Sequence, residues 1–477
     1  MKIVLICNHH MEGMFYLEIA HLLKEKGHFP ILVNVSRYSH YHTKKTGVEA
    51  YLMDDLIDMV KPYPKGESIN REIAQIQEKY STPDFEFLYR SDQGWYGRNK
   101  RKALARLILY FRAWEKFLKE NTDVDYLASD VGGNYIRRSA YFIAQKMGIP
   151  MFFPYFIPLN KRMVWLDNEQ YVLDNFKIIP LEETEKSEIE EMKEFRDKLL
   201  SSSIDYLYRT VSPFSLTKLQ ELYEATKVEL LYEHFKCENY NVFRMIKYYF
   251  RHRYNRMKQH FYYNEPIEGD NYIFFPLHAW DDSQLTVRAP GFDQVEVCRK
   301  TAQEMPEGLT LYVKSHPGYE GKYPNKLFKD LSRIPRVRII SPTCHPHGLI
   351  RNAKCVLVLN STAGFEALLF GTPAVTIAKP FFSGLGLTYD IDWPSEIGSV
   401  IEKAISTPNP ATKDKVLGMM IGLKRATKEG KLSYYAGTKT NIITLKEIED
   451  GRYTHCQQKF DVVNTLLEKI EEYKKMH

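Results

Sequence analysis

The feature that most restricts the fold is the opening pattern. Residues 3–7, IVLIC, form an unbroken apolar run. MFYLEIAHLLKEKGH follows with apolar residues at helical spacing, and FPILVNVS returns to an apolar run. A strand that is apolar at every position is covered on both faces, and strand–helix–strand in that order is the unit of a parallel α/β sheet. The pattern continues: VDYLASD reads as a strand ending at Asp130, VGGNYIRRSAYFIAQKMG as a loop and helix, and IPMFFPYF as a further strand. Residues 66–122 between them are polar and rich in helical spacing.

The same grammar restarts at NYIFFPL (271–277). It runs on through helix FDQVEVCRKTAQEM, strands LTLYVKSHP, RVRIIS and CVLVLN, helix GFEALLFG and strand PAVTIA. Two α/β halves in 477 residues fit the GT-B architecture of two facing Rossmann-like domains. The expected division is 1–178 for the N-terminal Rossmann-like domain and 179–265 for a helical insertion. Residues 266–400 form the C-terminal Rossmann-like domain, and 401–477 are helices returning to the first domain. The last of these, FDVVNTLLEKIEEYKKM, has the amphipathic spacing of a bracing helix.

Composition sets the class of environment. The chain is 44% hydrophobic and 26% charged, enough to bury a core. Six cysteines are spread along it without a CxxC pair, the pattern of buried thiols in a reducing compartment. Cys344, His345, His347 and Cys355 match no standard metal spacing, so no metal is expected. The apolar run at the N-terminus is too short for a signal peptide, and no run reaches the ~20 residues of a membrane span. A cytoplasmic protein, or one peripheral on the inner face of the cytoplasmic membrane, is the expectation.

In open α/β sheets, ligands sit beyond the carboxyl ends of the strands. Four loops of the second half lie there. PLHAWDDSQ (276–284) places His278, Asp281 and Asp282 after a strand; a carboxylate here can serve as nucleophile or base, or simply cap a helix. KSHPGYEGKYP (314–324) presents Lys314 and His316, either to a phosphate or sugar or as an ordinary turn. NSTAGFEALLFG (360–371) has Ser361, Thr362 and Gly364 at a helix start, where backbone N–H groups favour a phosphate and small residues admit it. Glu366, one turn in, can accept from ribose hydroxyls; the alternative is a capped helix. KPFFSGLGLT (379–388) is an aromatic, glycine-containing loop able to close over the same site.

In the first half, NHHMEG (8–13) reads as a loop after the first strand, with His9, His10 and Glu12 as acceptor-side or acid–base candidates or as plain solvent-facing residues. SDVGGNYIRR (129–138) offers Asp130 and Asn134 to an acceptor, and Arg137 and Arg138 to an anion. KYYFRHRYNRMKQHFYY (247–263) is basic and aromatic. It suits an anionic membrane or a helix packed with its basic side chains snorkelling; a nucleic-acid partner ranks last and is not expected.

Taken in order, HAWDD, HP, STAGFEALL and PFFSGLGLT resemble the motifs of the capsule polysaccharide Kdo-transferase family, bacterial GT-B enzymes that use CMP-Kdo. GGNYIRRSAYFIAQKMGIP resembles that family's first domain. The resemblance implies a glycosyltransferase with a nucleotide-sugar donor, a glycan or glycolipid acceptor, and no cofactor. It implies Asp282 as the nucleophile of a retaining mechanism, with His278 beside it, and Lys314 and His316 at the donor's phosphate or carboxylate. Ser361, Thr362 and Gly364 would hold the nucleotide phosphate, and Glu366 its ribose. Two positions depart from the family pattern: His278 stands where the family has Gln, and Leu385 where it often has Trp. The donor sugar is therefore open. So are a polyol-phosphate transferase using a CDP donor, a sugar-nucleotide epimerase and a non-catalytic glycan- or membrane-binding protein of the same fold.

Overall fold

The computed structural model describes residues 1–92, 99–159, 162–173, 176–201, 223, 226–234, 242–279, 282–430 and 457–477. The chain separates into two compact units. One comprises the described residues of Met1–Tyr171, Val211–Met245 and Lys428–His477, the other those of Val172–Thr210 and Ile246–Thr427.

The first unit is built on β1 (Lys2–Cys7), β2 (Phe29–Asn34), β3 (Glu49–Leu52), β4 (Tyr126–Ser129), β5 (Met151–Ile157) and β6 (Arg162–Leu166). The second carries β7 (Tyr272–Pro276), β8 (Thr310–Lys314), β9 (Val337–Ile340), β10 (Cys355–Val358), β11 (Ala374–Thr376) and β12 (Tyr389–Asp390). A last short strand, β13 (Lys428–Glu429), joins the first sheet.

Both sheets use one topology. The first runs β3-β2-β1-β4-β5 in parallel, extended by antiparallel β6 and β13. The second is β9-β8-β7-β10-β11-β12, parallel throughout. This is the Rossmann order, in which the chain reverses its direction of travel beside the first strand of each half. The central strands follow from their sequences: every residue of β4 and β10 is buried, as the unbroken apolar runs demand.

The first core gathers around Ile3, Leu5, Phe15, Leu17 and Leu32 and takes in Val462, Val463, Leu466 and Ile470 of the helix Gln457–Met476. Trp165 Nε1 donates to Thr465 Oγ1 at 3.1 Å, fixing that helix on β6. The division at residue 401 is not where the structure makes it. Helices Ile397–Ser406 and Lys413–Arg425 belong to the second unit, and only residues from Lys428 onward belong to the first. The latter helix is held by Lys424 and Arg425, which pair with Glu188 and Glu191 of helix Lys186–Ser201, and by Ile179 N–H donating to the Gly418 carbonyl.

The stretch read as one helical insertion is likewise divided between units. Helix Lys186–Ser201 packs in the second. The turn Glu229–Glu233 docks on the first, where the Glu233 carboxylate accepts from Ser36 Oγ (2.5 Å) and the N–H groups of Arg37 (3.1 Å) and Tyr38 (3.2 Å). An anion at the start of helix Arg37–Lys45 meets its unsatisfied N–H groups and the positive end of its dipole.

Candidate functional site

In the second unit the strand order reverses between β7 and β10, so the loops leaving those strands define the crevice. His278 follows β7 and is buried. Its backbone is gripped from both sides by Gln294, whose Oε1 accepts from His278 N–H (2.8 Å) and whose Nε2 donates to its carbonyl (3.2 Å). Its Nε2 accepts the N–H of Asn360 at 3.1 Å, across to the loop after β10. An accepting Nε2 requires the proton on Nδ1 and a neutral ring. Burial, helped by the neighbouring His316 and the Arg288 guanidinium, holds its pKa down at about 4. His278 thus clamps the two loops of the switch point together.

Asp282 starts the short helix Ser283–Thr286; its Oδ1 accepts Gln284 N–H at 2.9 Å. Burial raises its pKa, opposed by that backbone bond and by Ser283. The capping alternative is therefore realised, and it employs one carboxylate oxygen. Asp281 lies outside the described residues. Arg288, which sequence reasoning missed, joins three loops: its guanidinium donates to Gln284 Oε1 (3.2 Å) and to the Lys379 carbonyl (3.1 Å). With its amide turned to face that cation, the Asn360 oxygen accepts from Arg288 Nε at 3.1 Å.

After β8, Lys314 is buried, with Nζ donating to the carbonyls of Pro342 (3.1 Å) and Ser315 (3.4 Å). Desolvation lowers its pKa to about 8. His316 Nδ1 accepts Gly318 N–H at 3.2 Å, placing the neutral ring's proton on Nε2 as a donor. Burial holds its pKa near 4, with the charges of Lys314 and Lys322 acting in the same direction.

After β10, Ser361 caps helix Thr362–Phe370, its Oγ accepting Ala363 N–H at 3.2 Å. The Gly364 N–H is also engaged, by the Ser361 carbonyl at 3.1 Å. Neither of these bonds uses the Thr362 amide. Gly364 has a packing reason to be small that the sequence does not reveal: a Cβ there would lie 2.6 Å from the Phe382 ring and 2.9 Å from Val358 Cγ2. The absent side chain leaves room for an aromatic ring from the fourth loop. Phe381 and Phe382 are buried, with Phe381 packed on Phe365, so this loop forms a wall of the site. Glu366 is nearly buried and faces His347 Nε2 at 3.5 Å. His345, the N-cap of helix Pro346–Asn352, and His347, on that helix's first turn, follow β9. His347 faces the Glu366 carboxylate, and the charges of Lys314 and Glu366 both act on His345.

In the first unit the segment 8–13 is mostly helix, because His9 Nδ1 caps Glu12 N–H (3.2 Å) and helix His10–Glu25 begins at His10. Burial takes His9 and His10 to about 4. Glu12 is fully buried, both oxygens on Arg137 Nη2 at 2.6 and 2.7 Å. Arg137 also donates to Ser129 Oγ, the Val131 carbonyl and Asn134 Oδ1. It is a staple between the loops after β1 and β4, and Arg138 is paired with Glu169. Both arginines are committed to carboxylates of the protein itself, so neither stands ready for an outside anion. Asp130 is buried with Oδ1 on Val131 N–H at 2.7 Å. The acceptor-side candidates His9, His10, Glu12, Asp130 and Asn134 gather at the switch point between β1 and β4.

Two Rossmann-like units in one chain make this an α/β protein of the GT-B class. The chain belongs to the family described as "Capsule polysaccharide biosynthesis protein", whose model matches residues 116–396. It is 29% identical over 113 residues to the capsule polysaccharide modification protein LipA of Neisseria meningitidis, covering 24% of this chain and 16% of that protein. It is 29% identical over 128 residues to the capsule polysaccharide export protein KpsS of Escherichia coli, covering 25% and 32%. The chain thus spans less than a third of the curated relatives it matches. Among solved structures, it is similar to the UDP-GlcNAc 2-epimerase of Methanocaldococcus jannaschii (13% identity, 89% and 99% of the two chains, TM-score 0.26). It is also similar to the beta Kdo 2,7 transferase KpsC of Thermosulfurimonas dismutans (15% identity, 66% and 85%, TM-score 0.30).

Proposed function

We propose that this protein is a glycosyltransferase of surface-polysaccharide synthesis that takes its sugar from a nucleotide donor, CMP-Kdo or a relative of it. The observation that carries the reading is the clamp at the second switch point. His278, Gln294, Asn360 and Arg288 draw the loops after β7, β10 and β11 into one polar site. Family membership supplies the context of capsule synthesis.

The nucleotide would lie at Ser361, the Thr362 amide and Glu366, with His316 Nε2–H and Arg288 meeting the leaving phosphate; donors aimed at developing charge lower the barrier to its departure. The oxygen of Asp282 not used in capping would attack the anomeric carbon, and the acceptor hydroxyl would then resolve the glycosyl-enzyme. A glycan or glycolipid acceptor would bind the first unit near His9, His10, Asp130 and Asn134. The reaction would run in the cytoplasm, at the inner face of the cytoplasmic membrane.

The test is nucleotide release from a panel of nucleotide sugars, with intact-mass analysis of the protein. Release from one donor, with a glycosyl adduct that Asp282→Asn abolishes, is the expected result. Release without an adduct would remove Asp282 from the nucleophile role. Conversion of the donor without any acceptor would favour an epimerase.

A further inference from the structure

Helix Val242–His260 is amphipathic, and its orientation is inverted. The face turned to the protein is polar. Asn255 and Gln259 are buried; Asn255 Nδ2 donates to the Gly321 carbonyl (3.2 Å), Gln259 Nε2 to the Tyr323 carbonyl (2.8 Å), and Gln259 Oε1 accepts Gly321 N–H (2.9 Å). Arg256 pairs with Glu320 on the same side. The face turned to solvent is apolar: Ile246 is 39% exposed, Phe250 64%, Tyr254 55%, Met257 66%, and Phe261, just past the helix, 87%.

At 100° per residue, these five side chains fall within an arc of about 80°, opposite Asn255 and Gln259. Lys247, Arg251 and Lys258 border the arc on one side and Arg253 on the other; all four are exposed. The helix sequence VFRMIKYYFRHRYNRMKQH contains no Asp or Glu. A soluble helix normally buries its apolar stripe; here buried amides hold the polar side down and leave the stripe outward. A second protein copy would meet basic borders with no acidic complement on this helix. An anionic bilayer offers acyl chains to the stripe and phosphate and carboxylate head groups to its borders. Among the described residues no helix is long and apolar enough to cross a membrane, so the contact would be interfacial.

We infer that the outward face of this helix is a docking surface for an anionic lipid bilayer, with Ile246, Phe250, Met257 and Phe261 entering the acyl boundary and Lys247, Arg251, Arg253 and Lys258 on the head groups. This deepens the peripheral-membrane part of the reading above and rests on it only for the choice of leaflet. It is read out by lipid binding rather than turnover, so the two can fail separately.

The test is co-sedimentation of the full chain with phosphatidylserine–phosphatidylcholine vesicles and with phosphatidylcholine alone. Binding to the anionic vesicles should be at least about tenfold tighter, since one basic side chain near such a surface is worth about fivefold, and should weaken as salt is raised. The exposed-face variant Ile246→Ser/Phe250→Ser/Met257→Ser should keep its thermal stability and nucleotide binding but lose at least about tenfold in vesicle affinity. Lys247→Gln/Arg251→Gln/Lys258→Gln should abolish the preference for anionic lipid. The inference is overturned if the parent protein stays in the supernatant with both lipids, or if the serine variant binds as the parent does. It is also overturned if neither binds vesicles while the parent forms an oligomer that the serine variant dissolves, or retains a single-stranded oligonucleotide that the glutamine variant releases.

Discussion

Replacing His278 with Gln isolates what its neutral ring contributes. The amide oxygen of Gln can accept the Asn360 N–H as Nε2 does, but Gln has no proton to take up. In the folded protein burial holds the His278 pKa near 4, while in the unfolded chain it returns to about 6.5. Between those values the unfolded state binds a proton that the native state does not, so stability rises with pH across that window. The contribution is fully present above about 6.5 and is lost as pH falls toward 4. At pH 5 the loss spans about 1.5 pH units, or roughly 2 kcal/mol. His278→Gln should therefore melt within about 1 kcal/mol of the parent at pH 7 and be stabilised relative to it by about 2 kcal/mol at pH 5. That is a shift of about 4–8 °C for a unit of this size. His278→Leu, which leaves the buried Asn360 N–H without its acceptor, should lose about 1–3 kcal/mol at pH 7. The assay is scanning calorimetry of the parent and both variants at the two pH values. An unchanged difference between parent and His278→Gln at pH 5 and pH 7 would refute the neutral clamp.

Glu12→Gln strips the partner from a buried arginine and should cost about 3–5 kcal/mol by chemical denaturation, while Glu12→Leu/Arg137→Met should recover most of that loss. Gly364→Ala should cost about 1–3 kcal/mol by pushing on Phe382, and adding Phe382→Leu should return part of it; strict additivity would separate the two residues. Glu233→Ala removes the carboxylate cap of helix Arg37–Lys45 and should lower stability by about 1 kcal/mol in a denaturant melt, whereas no change would make the docking of that turn incidental.

The strand pattern was legible because parallel sheets buried on both faces write themselves as apolar runs. KIVLIC, YIFFP and CVLV all became central strands. β13 was not legible, since two residues, Lys428 and Glu429, carry no period. The ends of β7, β8 and β10 were visible as places for polar loops, and His278, Lys314, His316 and Ser361 sit there. The links that organise them were not visible. Gln294 grips His278 from 16 residues away, Arg137 reaches Glu12 across 125, and Phe382 fills the space above Gly364. Such contacts are tertiary and leave no mark in local spacing. Ser361 and Asp282 show a different limit: a capping residue and a ligand-binding residue have the same sequence signature, and both side chains do cap.

The most direct measurement of the central claim is thermal stabilisation of the purified protein by CMP, CDP, UDP, GDP and dTDP. A nucleotide at about 100 times its dissociation constant adds roughly 2.7 kcal/mol to a folded state that alone binds it. A nucleotide-sugar transferase with its donor site at Ser361 and Glu366 predicts a clear rise with one of the five, CMP for a Kdo-type donor, and its loss in Glu366→Ala. No rise with any of them would contradict a nucleotide site in the second unit, and with it the transferase reading.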